Sequence, residues 1–165
     1  MRVYVPATLA MLQQLVADRL LHARSGTAFA LTPALREAYA EGDDDELSDV
    51  ALRDAALASL RLLSGEGTSD LPPRRVVVVA DVEGVTLRPD LDESVVRLAD
   101  PIGYDDVIAA YVDNADAEPA VVPAIEAIDA ADLGDDDAEF VVGDAQDHDL
   151  AWYAPQELPF LLELL

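Results

Sequence analysis

The chain has 165 residues and carries 34 acidic side chains against 10 basic ones, a formal net charge of -24. All the bases are arginine, and 52% of the residues are apolar, enough to fold against the repulsion. This balance argues against nucleic acid or an anionic membrane as partner, and the absence of cysteine excludes disulfides, thiolate catalysis and Cys-ligated metal sites.

At this length a single domain is expected over 1–165. Met1–Pro6 reads as a strand rather than a signal peptide, and no apolar run approaches the ~20 residues that span a bilayer. The expectation is a cytoplasmic protein. The anionic surplus has three candidate causes: solubility, adaptation to high salt, and a partner with a basic surface. Missing lysine also fits the coding bias of a GC-rich genome.

Arg2–Val5 alternates as a strand that should stop at Pro6. Thr8 can cap a helix over 8–23, whose Leu9, Leu12, Leu15, Val16 and Leu20 recur at helical spacing. Ser25-Gly26 would end it, and Thr27–Leu31 is a short apolar candidate strand. Thr32-Pro33 starts a helix to about Glu41. Asp43 and Glu46 resemble a capping box opening a helix to about Leu63. Its apolar residues lie on more than one side, so neighbours on two faces, or a second copy of the chain, should cover it.

A polar linker at about 64–73 separates a helical first part from a strand-rich second part. Val76–Val79 suits a strand covered on both faces. Glu83-Gly84 is a turn before Val85–Leu87, and Ser94–Leu98 and Val107–Val112 are further strands. Helices are expected over 117–131, bent by Pro123, and from Asp135 to about Val142. Leu150–Tyr153 reads as a last strand, then Pro155–Leu165 as a terminal helix. The pattern predicts an α+β domain with a four- to five-stranded mixed or antiparallel sheet packed by helices. The order of its main elements is that of a ferredoxin-like plait with extra helices.

Few residues suggest chemistry. His148 sits among Asp144, Asp147 and Asp149, just before the only tryptophan, Trp152. Such a cluster offers a general base oriented by Asp147 or Asp149, or a metal site using Asp144 and His148. The bland alternative is a solvated acidic loop entering a strand. The acidic runs at 43–46 and 135–137 lack the glycine and glutamate of a calcium loop. Without lysine there is no P-loop lysine and no Schiff base. Arg74-Arg75 neutralises nearby acids at a strand start or binds an anion. Trp152, Tyr153 and Tyr4 are core packing or the wall of a ligand pocket. No cofactor is implied.

Three stretches, MRVYVPATLAML, GTAFALTPALREAYAEGDDDE and HDLAWYAPQELPFLLELL, resemble a family of uncharacterised actinobacterial proteins of about this length, a domain of unknown function. The likeness spans the whole chain and implies a bacterial cytoplasmic protein of one domain. It carries no activity to transfer. The leading expectation is a non-enzymatic interaction or regulatory protein that meets a basic protein or a second copy of itself. The alternatives are a small-molecule or metal-dependent enzyme using 144–153, and an acidic mimic of nucleic acid.

Overall fold

The four consecutive valines at 76–79 alternate between two cores. Val76 and Val78 pack on one side of a sheet, Val77 and Val79 on the other, as period-two geometry demands. A computed structural model describes residues 1–67 and 69–165. It is a single α+β domain, and around this strand it assembles a seven-stranded sheet.

In chain order the elements are β1 (Arg2–Ala7), α1 (Leu9–Asp18), β2 (Leu20–Leu21), β3 (Thr27–Phe29), α2 (Pro33–Ala38) and α3 (Asp44–Glu66). Then follow β4 (Val76–Asp81), β5 (Val85–Leu87), β6 (Val95–Leu98), β7 (Ile102–Gly103) and β8 (Val107–Val112). The chain ends with α4 (Glu118–Asp132), α5 (Asp136–Gln146), β9 (Ala151–Tyr153) and α6 (Leu158–Glu163). The sheet order is β5-β6-β3-β1-β4-β8-β9, and β2 pairs separately with β7. Thr68, within the predicted linker, lies outside the described residues. The start of that linker is helical, because α3 continues through Ser64 to Glu66.

The sheet is larger than the four to five strands expected. Every adjacent pair in it is antiparallel. The ferredoxin-like order is not confirmed. A βαβ unit needs its two strands parallel, whereas the chain leaving β1 through α1 returns as β3 antiparallel to it.

Pro6 does not end β1. It stays in register with Val77 of β4, while β1 meets β3 at Tyr4↔Phe29. A proline can sit in a strand where no N–H is asked of it. The helix expected over 8–23 is shorter, since Arg19 turns left-handed at φ 60° and sends Leu20–Leu21 to pair with β7. The helix starting at Pro33 also stops early, at Ala38. The caps are as expected: Thr8, Thr32 and Asp43 accept from the backbone N–H of Met11, Leu35 and Glu46.

The β1–α1–α6 side holds Val3, Val5, Leu12, Leu15, Val78, Leu158 and Leu161 in one core. On the opposite side Ala51, Ala55 and Ala56 of α3 lie on Tyr4, Phe29, Val77 and Val79. The small alanines let the helix approach the sheet closely. Its later residues Leu60 and Leu63 turn instead to Val121, Ala124 and Ile128 of α4 and Val142 of α5. The apolar residues of α3 are therefore spread around it because this chain covers it on two faces. Ser59 locks the junction. Its buried hydroxyl donates to the Ala7 carbonyl at 2.7 Å and accepts from the Val76 N–H at 3.1 Å.

Candidate functional site

The helices α4 and α5 run side by side after a turn at Gly134, which has φ +94°. That turn brings the start of α4 beside the end of α5. Asp116, Pro119, Ala120 and Pro123 come from the first, and Val141, Asp144, Asp147 and His148 from the second. Together they line an open groove of about 650 Å³. Apolar side chains supply part of its wall, and the carboxylates of Asp116, Asp144 and Asp147 are all exposed. None of the three has an arginine partner among the described residues.

Pro123 adds an acceptor. The helix continues past it, yet proline has no N–H to give to the carbonyl one turn earlier. That carbonyl belongs to Pro119, which lines the same groove. The groove thus combines carboxylates and apolar surface with a residue, Pro119, whose carbonyl is short of its helical donor. It is suited to a cation carried on a hydrophobic stem, as arginine and lysine are.

The arginines cannot compensate this field, because most are already engaged. Seven ion pairs are present among the described residues, and they use seven of the ten arginines but only seven of the 34 acids. One pair is fully buried. Arg75 Nη2 lies 2.7 Å from Asp113 Oδ1, with side chains 1% and 0% exposed. Arg75 Nε donates to Asp113 Oδ2, Nη1 to Gln146 Oε1, and Nη2 also to the His148 carbonyl. The pair therefore fastens the α5–β9 loop, and with it one rim of the groove, to the base of β4. Arg74 lies 3.6 Å from Glu118 at the start of α4. The adjacent arginines at 74 and 75 both neutralise acids.

His148 is half-buried, while Asp144, Asp147 and Asp149 are exposed. Among the described residues His148 makes no ion pair with a carboxylate, and no three His, Cys, Asp or Glu side chains are gathered closely enough to hold a metal ion. Asp149 falls outside the groove, on a smaller cavity that His148 also lines.

The aromatic candidates do not share a pocket. Tyr4 is buried against α3, and Tyr153 packs on the α1–α6 side. Trp152 is 57% exposed on β9, opposite Tyr111. Successive residues of a strand face opposite ways, so Trp152 and Tyr153 cannot meet the same ligand face. Pro119, Pro123 and Asp116 were not foreseen as groove residues. Only the unusual proline inside a helical pattern hinted at them.

A second acid-lined cleft, of about 710 Å³, lies between Asp81, Glu83, Asp100 and Asp106. Met1 lines it too, and its terminal ammonium donates to the Val82 carbonyl at 2.8 Å. No arginine lines the α4–α5 groove.

Burial and pairing shift two surface acids in opposite directions. Asp54 on α3 titrates above the ordinary carboxylate range, because burial outweighs the hydrogen bond that Ser94 donates to it. Asp132 titrates below that range, because the Arg61 guanidinium donates two hydrogen bonds to it.

Fold and groove describe an α+β domain with an antiparallel sheet covered on both faces and a paired-helix outwork bearing unpaired acids. The chain belongs to the family of unknown function DUF6912, which it matches over residues 1–162. No curated protein and no solved structure matches the chain.

Proposed function

We propose that this is a non-enzymatic cytoplasmic interaction protein whose α4–α5 groove docks a basic, extended segment of a partner protein. One observation carries the reading: Asp116, Asp144 and Asp147, none of them in an ion pair among the described residues, line one groove with Pro119, Pro123 and Val141. Arginine or lysine side chains of the partner lay their stems on Pro119, Pro123 and Val141 and their charged ends on the carboxylates. The long-range field of a chain with net charge -24 speeds the encounter and makes it salt-dependent.

Binding of a fluorescent arginine-rich peptide, followed by anisotropy, tests the reading. The triple variant Asp116→Asn, Asp144→Asn, Asp147→Asn is expected to weaken binding about tenfold or more. A control triple, Glu83→Gln, Asp100→Asn, Asp106→Asn, makes the same charge change at the other acidic cleft. It should weaken binding much less. Equal losses in the two triples would show attraction to net charge alone and sink the groove.

A further inference from the structure

On the other side of His148 lies a cavity of about 170 Å³ between α3 and the α5–β9 loop. We propose that it binds a short-chain carboxylate, a ligand distinct from the basic segment assigned to the groove. Its wall carries more basic than acidic side chains. Arg53, Arg75 and His148 line it, with Leu52, Ala56 and Leu150 as apolar wall. An acidic protein has gathered cation-forming side chains here.

Arg53 is exposed on α3 and makes no ion pair among the described residues, although the chain holds 34 acids. Its backbone carbonyl accepts from Gln146 Nε2 at 3.0 Å, which ties the two walls of the cavity together. Arg75 is 99% withdrawn from solvent, with 1% relative exposure. A guanidinium has five N–H hydrogens. Asp113 takes one from Nε and one from Nη2, the His148 carbonyl takes the other from Nη2, and Gln146 takes one from Nη1. The remaining Nη1 hydrogen has no acceptor among the described residues. Nη1 itself is held by Gln146, and because Arg75 lines the cavity a ligand oxygen entering it would accept the second hydrogen.

Size and charge choose the ligand. Drug-sized molecules need pockets of roughly 300 Å³ or more, so nucleotides and sugars of that size are too large. Because the Arg75 charge is neutralised by Asp113, and Asp149 stands at the rim, a monoanion is favoured over a dianion such as phosphate. Leu52, Ala56 and Leu150 give a few methylenes a dry contact. A carboxylate takes the Arg53 fork and the spare Arg75 hydrogen while its tail lies on those side chains.

Titration of the ¹⁵N-labelled protein with butyrate tests this, with inorganic phosphate and sodium chloride as comparison probes. Saturable shifts of the Leu52, Arg53, Ala56 and Leu150 amides are expected, with a dissociation constant on the order of millimolar, as suits so few ligand atoms. Arg53→Gln should weaken butyrate about tenfold, and Arg53→Lys should restore part of the loss. Asp144→Asn with Asp147→Asn, which removes negative charge near the cavity, should not weaken butyrate, so failure of the groove and failure of this cavity are read separately. Shifts that do not saturate, an unaffected Arg53→Gln protein, or phosphate binding as tightly as butyrate would each overturn the proposal.

Discussion

Arg75 and Asp113 are 38 positions apart in sequence, yet each is shielded from water almost entirely by the fold that joins them. Two charges can be buried at this depth only because their hydrogen-bonding groups are nearly all answered: the carboxylate by the side chain and the backbone N–H of Arg75, the guanidinium also by Gln146 and the His148 carbonyl. Removing one partner leaves an uncompensated charge. Asp113→Ala is expected to cost about 3–5 kcal/mol in urea denaturation, and to loosen the loop that carries Asp147 and His148. Asp54 makes a subtler prediction. Its folded pKa is raised, so its stabilising contribution is complete below the ordinary carboxylate range and is lost as pH rises through the folded value. Asp54→Asn, which stays neutral, should therefore gain melting temperature relative to the native chain between pH 4 and pH 7. A constant difference across that range would contradict the burial of this carboxyl. Asp132 runs the other way: Arg61 lowers its pKa, so its contribution is present at neutral pH and fades as pH falls.

Elements show where local pattern decides and where it yields. Thr8, Thr32 and Asp43 cap their helices as side-chain chemistry dictates, and the alternating valines of β4 divide between two cores. The ends of α1 and β1 are different. Nothing in Arg19-Leu20-Leu21 separates a helix end from a further helical turn; pairing with Ile102-Gly103 draws the leucines out. The pairing of β8 with β4 slips between Val79 and Ala80 of β4, leaving Ile108 of β8 as an extra residue. A bulge of this kind turns two successive side chains toward one face, and Ile108 and Ala109 do pack together on the α3 side. Pro123 is a local defect that α4 tolerates. Pro123→Ala returns an N–H to the Pro119 carbonyl, so it should stabilise the protein by about 1–3 kcal/mol. By the groove reading it should also weaken binding of the basic peptide. A gain in stability with binding untouched would remove that carbonyl from the site. Ser59→Ala would orphan the Val76 N–H and the Ala7 carbonyl, and should cost about 1–3 kcal/mol by thermal or chemical denaturation.

For the whole molecule two electrostatic effects compete. Added salt weakens the six ion pairs that are exposed or partly buried, each worth about 0–1 kcal/mol. It also screens repulsion among the acids left over from those pairs, which acts through the whole surface at distances near a Debye length, about 10 Å at 0.1 M. The second effect should win. The melting temperature is expected to rise with sodium chloride from low ionic strength, with each kcal/mol gained appearing as about 2–4 °C. A melting temperature that falls with salt would mean that the pairs outweigh the net charge.

The sequence alone determined most of what depends on near neighbours. It set helix caps, strand alternation, the α+β class and the excess of acid, because these follow from side chains within a turn or a pleat of each other. Only the tertiary structure decided the sheet order, the joining of Arg75 to Asp113, and the meeting of Asp116 with Asp144 and Asp147 across two helices. It alone separated Tyr4, Trp152 and Tyr153. The reason is that pairing between distant segments is chosen by the burial of the whole core at once. No residue, read with its neighbours in sequence, carries the address of a partner that far along the chain.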